Sequence, residues 1–427
     1  MATDTEMEKT QDELGSDDLT SVFGTEDVRP HDEGLRLKND FLPWHRPVKQ
    51  LVRKEQWAAL AVRLVKDSKL SKLRYLTLPG ADMFDVRVIA ETCAQEGCKV
   101  EYLGFDSSRS GERGVDQLAA ATANAAQRDT AESVLRQTGL VTDSSITLND
   151  FLEDIAVSGS QACAILRNFG HFDIVNIDAC DHLAVEPVGE RPGLFSAVKE
   201  VFSHQRGRHS PWLLYVTTRV SPDRLGGPKE EFVDAIKRNL DLPTDVFRNA
   251  FAEAMGVSAD DVEDVVSDGW AIHDDRLLKL FSIGLGKYLL QLAHGHYGDP
   301  AKVELASCYC YRVHEGSADM LALAFRITPT AKRIAQPTIG GGVLNLPLLE
   351  PVLAARVANK VVKLVDLDRE LAEQPDLAEG ALAATLKLLE VANYNLDEYR
   401  EWLEKNERPT PTSVVRSAVT PLSIVDG

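Results

Sequence analysis

The sequence predicts an α/β fold, a largely parallel sheet covered by helices and closed by an antiparallel hairpin. Three observations carry this. Five apolar runs of strand length alternate with longer amphipathic stretches between residues 73 and 218, the pattern of repeated strand–helix units. A long helical stretch follows over 228–296. Then "ASCYCYRV" and "MLALAFRI" flank the polar turn "HEGSAD", which reads as a hairpin over 306–327.

The elements follow in order. Residues 1–34 hold eleven acidic side chains against Lys9 and Arg29, with few apolar residues and no period, and read as a disordered acidic arm. Residues 36–74 reverse the balance, with eleven Lys or Arg against Asp40, Glu55 and Asp67. Within a segment 35–72, Pro43 and Pro47 stop an extended start and a basic helix follows. "LRYLTL" (73–78) reads as a buried strand. "DMFDVRVIAETCAQEG" (82–97) reads as a helix with Asp82 as N-cap and Gly97 as stop. "KVEYLGF" (99–105), "SSITLN" (144–149), "FDIVNID" (172–178) and "WLLYVTT" (212–218) are the next strands, with helices over 117–138, 150–168 and 193–206. In the helical insertion 228–296, Leu278, Phe281, Leu285, Tyr288 and Leu292 recur at three and four, one helical face. Residues 328–348 read as a linker, 349–405 as a helical C-terminal appendage, and 406–427 as a flexible tail rich in Pro, Ser and Thr.

Composition narrows the class. The chain has 427 residues, 44% apolar and 26% charged, values of a soluble globular protein. No apolar stretch approaches the roughly 18 residues of a membrane span, and the polar, acidic N-terminus lacks a secretory pattern. A cytoplasmic location is expected. Six cysteines in so long a chain do not form a disulfide framework. The net charge of −19 argues against a basic surface over the whole molecule. It leaves a local nucleic-acid patch open at 36–74, where Trp44 and Trp57 would stack bases. The alternatives there are a helix with a basic solvated face, its tryptophans covering the sheet, and docking of the acidic arm 1–34 onto the patch.

The candidate site residues collect at strand ends. Gly80 and Asp82 follow the first strand, Asp106 the second, and Asn149 and Asp150 the third. Asn176, Asp178 and Asp181 close the fourth. Open α/β sheets bind ligands in the crevice at the carboxyl ends of their strands. A carboxylate there accepts hydroxyl or amine donors or works as a base. Five strand–helix units followed by a hairpin, over about 70–327, resemble the class I S-adenosylmethionine-dependent methyltransferase fold, a Rossmann-like sheet. The chain is also similar to bacterial methyltransferase-like proteins, including partners in phage-defence loci. The resemblance implies S-adenosylmethionine as cofactor, with Gly80 and Asp82 in the glycine-turn position. It implies Asp106 on the ribose hydroxyls, Asn149 and Asp150 near adenine, and Asn176, Asp178 and Asp181 facing the methyl acceptor. Departures are visible. The turn "LTLPGAD" has one glycine, and Pro79 removes an N–H. Asp82 lies after the glycine, and "DACD" lacks the prolines and aromatic residue of amine-methylating members. Asp82 and Asp150 also suit helix caps.

Three functions follow as expectations: a methyltransferase, a catalytically degenerate binding or scaffold subunit whose helical segments meet a protein partner, and a nucleic-acid-processing enzyme using Asp178 and Asp181 with a divalent metal. Other constellations are weaker. Cys308 and Cys310 near His294, His296 and His314 lack zinc-site spacing, and no metal site is assigned. "SGSQAC" is not a nucleophile elbow. Gly340–Gly342 lacks the Lys of a phosphate loop.

Overall fold

In a computed structural model of the chain, residues 37–106, 115–179, 182–185, 187, 191–293, 301–314, 316–330 and 349–406 are described. The acidic arm, Cys180, Asp181, His294, His296, Gly340–Gly342 and nearly all of the tail lie outside them.

The described chain begins with a 3-10 turn at Pro43–His45 and helix α1 (Pro47–Leu51). α1 runs through a π-helical stretch, Val52–Ala58, into α2 (Ala59–Ser68). The strand–helix units are β1 (Lys72–Thr77), α3 (Phe84–Gln95), β2 (Lys99–Phe105), α4 (Val115–Gln137), β3 (Ile146–Leu148), α5 (Gln161–Phe169), β4 (Ile174–Asp178), α6 (Leu194–His204) and β5 (Trp212–Arg219). The helical insertion is α7 (Pro228–Leu240), α8 (Val246–Met255), α9 (Val262–Asp268) and α10 (Asp275–Gln291). The hairpin is β6 (Ala301–Tyr311) with β7 (Met320–Pro329), longer at both ends than its apolar runs suggest. The C-terminal part contributes α11 (Leu349–Val361), β8 (Val365–Asp366), α12 (Leu367–Glu373), α13 (Pro375–Val391) and α14 (Leu396–Asn406).

The eight strands form one mixed sheet in the order β3-β2-β1-β4-β5-β7-β6-β8. β1 to β5 are mutually parallel, and β7 runs antiparallel to both β5 and β6. The order reverses between β1 and β4, where β1 pairs with β2 on one side and β4 on the other. Both faces are covered, so the central strands read as continuous apolar runs. Alternate residues still part to opposite sides. Trp212, Leu214 and Val216 of β5 join the core shared with α6 to α11, while Leu213 and Tyr215 join the core under α1 to α3. Trp57 stacks on Tyr215 with ring centroids 6.2 Å apart, and Tyr215 donates to the Trp57 carbonyl at 2.9 Å.

Several expectations change. The helix expected over 150–168 is instead a 3-10 turn, Leu152–Ala156, followed by α5, capped by Ser160, whose side chain accepts from the Cys163 amide at 3.0 Å. Asp82 is not an N-cap: α3 starts at Phe84, after Met83 in the left-handed region. The C-terminal helices do not sit apart as an appendage. Leu353, Val357 and Val361 of α11 enter the main core, β8 pairs with β6 at Tyr309 and Cys310, and α13 and α14 share a third apolar cluster with Phe84 and Val88 of α3. The basic segment divides its cations: Lys54, Arg63 and Lys66 face solvent, while others turn inward. Arg46, Lys49 and Arg53 are buried, as is Trp57. Each of these cations finds an acceptor in place of water: Arg46 the Arg312 carbonyl after β6, Lys49 the Asp178 carboxylate at the end of β4, and Arg53 the Trp44 carbonyl of its own segment.

The α10–α11 contact depends on small residues. A Cβ at Gly286 would stand 2.6 Å from Val357 Cγ1. Gly286→Ala is therefore expected to lower stability by about 1–3 kcal/mol through overpacking, read by urea denaturation. Unchanged stability would contradict this close approach.

Candidate functional site

A cavity of about 400 Å³ opens at the carboxyl ends of β1, β2 and β4, beside the reversal in strand order where α/β sheets hold ligands. Its floor is the turn after β1, Leu78 to Asp85. Asp106 contributes from the end of β2, and Asp178 and Ala179 from the end of β4. The N-terminal segment supplies His45, Lys49 and Arg53, the hairpin Tyr311 and Met320, and the C-terminal part Tyr394.

The turn is built by local constraints. Gly80 takes φ +61°, a conformation that favours glycine, and no atom lies within 4 Å of where its Cβ would be. The backbone there is open to a ligand. Pro79, which breaks the expected glycine pattern, packs on Gly104 of β2: a Cβ at Gly104 would meet Pro79 Cγ at 3.1 Å. Gly104 of the neighbouring strand thus accommodates the proline ring.

The carboxylates of the cavity are paired. Asp82 Oδ1 accepts from Lys38 Nζ at 2.8 Å and Gln127 Nε2 at 2.6 Å, and Oδ2 from the Tyr394 hydroxyl at 2.7 Å. Asp178 Oδ1 meets Lys49 Nζ at 2.5 Å, and that nitrogen lies 4.8 Å from the centre of the Trp57 ring. Asp106 Oδ2 accepts from Arg128 at 2.7 Å while the residue keeps partial access to solvent. Asp85 Oδ2 accepts from Tyr75 at 2.9 Å and from the Thr77 hydroxyl. Burial pushes the Asp85 carboxyl up to about 6; the Thr77 hydroxyl, the neighbouring Val86 amide and Tyr75 oppose this, and nearby Asp178 adds to it. Arg53 is likewise held below its ordinary value by burial, opposed by Asp178, Asp85 and Asp82. Burial lowers His45 to about 4, with Asp82 opposing, so His45 is neutral near pH 7.

The residues singled out in the sequence part into two groups. Gly80, Asp82, Asp106 and Asp178 line the one cavity. Asn176, Asn149 and Asp150 do not. Asn176 is fully buried and its Nδ2 donates to the Tyr75 hydroxyl at 2.8 Å, because it sits inside β4 and points across to β1. Asn149 and Asp150 follow edge strand β3, two strands from the reversal. Asp181 lies outside the described residues. Sequence reasoning missed Asp85, His45, Lys49, Arg53 and Tyr394 as cavity residues. The cationic run 36–74 was visible as a run, but its inward direction was not. Tyr394 carries no local signal. Among the described residues no group of three His, Cys, Asp or Glu is arranged to hold a metal, and no helix is long and apolar enough to cross a membrane. Cys308 and Cys310 are buried thiols, raised by burial.

Fold and site define an α/β protein with a cavity, lined in part by paired charges, at the carboxyl edge of its sheet. The chain belongs to the PP_RS20740-like family, whose model matches residues 38–404, a span that contains every element from the first 3-10 turn into α14. No curated protein matches it significantly.

His45 and Asp85 make opposite contributions with pH. His45 is lowered from 6.5 to about 4 on folding, so its contribution is complete above about pH 6.5 and is lost as pH falls toward 4, at most about 3 kcal/mol. Asp85 is raised from 3.8 to about 6, so its contribution grows as pH falls from 6 toward 3.8. Denaturant unfolding between pH 7 and 4.5 should therefore show His45→Gln with a shallower acid loss than wild type and Asp85→Asn with a steeper one. Parallel profiles for all three proteins would contradict these assignments.

Proposed function

We propose that the protein is methyltransferase-like and binds S-adenosylmethionine in the cavity at the carboxyl edge of β1, β2 and β4. One observation carries the reading: Gly80, Asp106 and Asp178, three positions the family resemblance implies, line a single cavity. The strand order β3-β2-β1-β4-β5 with helices on both faces supports it, since that is the doubly wound order whose ligands sit beside the reversal. The antiparallel β6–β7 hairpin agrees with the resemblance as well.

The residues suit such a cofactor. About 400 Å³ falls within the roughly 300–1,000 Å³ of small-molecule pockets. The open backbone at Gly80 permits close approach, and Asp106 at the end of β2 presents a part-exposed carboxylate to a ribose diol. Lys49 and Arg53 supply positive charge for a carboxylate, while Asp85 and Asp178 balance a cation. Bound there, the cofactor would supply an electrophilic methyl group. The protein's part is orientation, which alone is worth several kcal/mol of a transfer barrier.

A second reading, a binding or scaffold subunit without transferase activity, is favoured by the pairing of Asp82. Both of its oxygens are taken by Lys38, Gln127 and Tyr394, which favours a fold-holding role for Asp82 over cofactor binding. The metal-dependent nuclease reading gains nothing from Asp178, whose Oδ1 already meets a buried ammonium.

Calorimetric titration with S-adenosylmethionine and S-adenosylhomocysteine separates the first two readings. Micromolar binding that weakens at least about tenfold in Asp106→Ala, equal to 1.4 kcal/mol, is expected. A silent titration of folded protein would contradict cofactor binding and leave the scaffold reading.

A further inference from the structure

Asp85 stands apart from the other carboxylates of the cavity. It belongs to the first turn of α3 and is 5% exposed. Tyr75 and Thr77 both donate to Oδ2, and the Tyr75 hydroxyl in turn accepts from Asn176 Nδ2 at 2.8 Å. These three side chains fix the carboxyl plane. Oδ1 has no hydrogen-bond partner, although Asp85 lines the cavity. A buried carboxylate oxygen left without a donor is costly, and the cost persists in a native fold where the atom serves a ligand. Two donors that line the same cavity are also without partners: His45 Nε2 and Arg53 Nε. His45 Nδ1 accepts from the Leu42 amide at 3.2 Å, which puts the ring proton of the neutral tautomer on Nε2.

We infer that Asp85 is the ligand-facing carboxylate of this cavity, and that its Oδ1 receives a protonated amine or other N–H donor of a bound small molecule. His45 Nε2 and Arg53 Nε then meet acceptor atoms of the same molecule. The turn after β1 offers Asp82 as the obvious acid, but Asp82 is spent on holding the chain together. The binding role passes to Asp85, one helical turn further on and buffered by its own network. The inference deepens the cofactor reading of the same cavity, yet its central test does not need that cofactor.

The test is carbodiimide-mediated amidation of the full-length wild-type protein with ethylenediamine at pH 6, followed by peptide mass mapping. A protonated carboxyl adds through oxygen to the carbodiimide carbon, its proton passing to nitrogen. The amine then forms the C–N bond and expels the urea. Asp85 should label about tenfold more than Asp82, because it lines the cavity with one oxygen outside any hydrogen bond while both oxygens of Asp82 are taken, and because burial pushes its carboxyl up to about 6. Labelling of Asp82 or Asp178 with Asp85 unmodified would overturn the inference. S-adenosylmethionine is a separate arm. If it suppresses labelling of Asp85, both readings stand; if Asp85 labels equally with and without it, the cofactor reading fails and the role of Asp85 remains supported by its selective reaction with the amine.

Discussion

The structure depends on the placement of one carboxylate. Asp82 sits in the turn after β1 and takes hydrogen bonds from Lys38, Gln127 and Tyr394, residues separated by as much as 312 positions from it. The N-terminal segment, α4 and the C-terminal part therefore meet at a single side chain 7% exposed. A carboxylate so placed is tolerable only because each oxygen is satisfied. The backbone repeats the link, with Lys38 donating to the Asn393 carbonyl at 3.0 Å and Asn395 donating back to the Lys38 carbonyl at 3.0 Å. Aromatic packing completes it: Phe41 lies against Tyr394, Tyr399 and Trp402.

With the two parts of the chain tied there, the N-terminal segment is held over the carboxyl edge of the sheet. Its cations then have somewhere to go. Lys49 reaches Asp178 at the end of β4, and Arg53, within the π-helical stretch, lies among Asp178, Asp85 and Asp82. π-Helical turns shift the direction of side chains relative to a regular helix and recur at functional sites. Here the stretch faces Arg53 to the cavity and Trp57 to Tyr215. Closure and polarity of the cavity are thus consequences of the same segment. The cavity is walled by acids and cations in close pairs, and Asp85 Oδ1 is left without a hydrogen bond.

Much of the frame was legible in the sequence. The alternation of β-rich runs with amphipathic stretches marked five parallel strands, and the polar turn "HEGSAD" marked the hairpin. These are local, periodic signals. Gly80, Asp106 and Asp178 were legible as neighbours in one cavity because strand ends are legible and α/β sheets open their crevice there. The failures share a cause as well. Asn176 differs from Asp178 by two residues of one strand, and whether such a side chain reaches the crevice depends on how far the neighbouring strands extend. Asp82 reads locally as a cap, but Tyr394 outcompetes the helix amides for it. The C-terminal helices looked separable because their apolar faces are visible in sequence and their partners, α8, α10 and α3, are not. The inward turn of Arg46 and Lys49 was hidden because acceptors distant in sequence, the Arg312 carbonyl and Asp178, decide it.

The claim that Asp82 ties both parts of the chain across the cavity is tested most directly by hydrogen exchange of the full chain with Asp82→Asn. The account predicts that amides of 38–46 and 393–399 lose protection together while β4 and β5 stay protected. Unchanged protection in those two segments, or loss through the whole sheet, would contradict it.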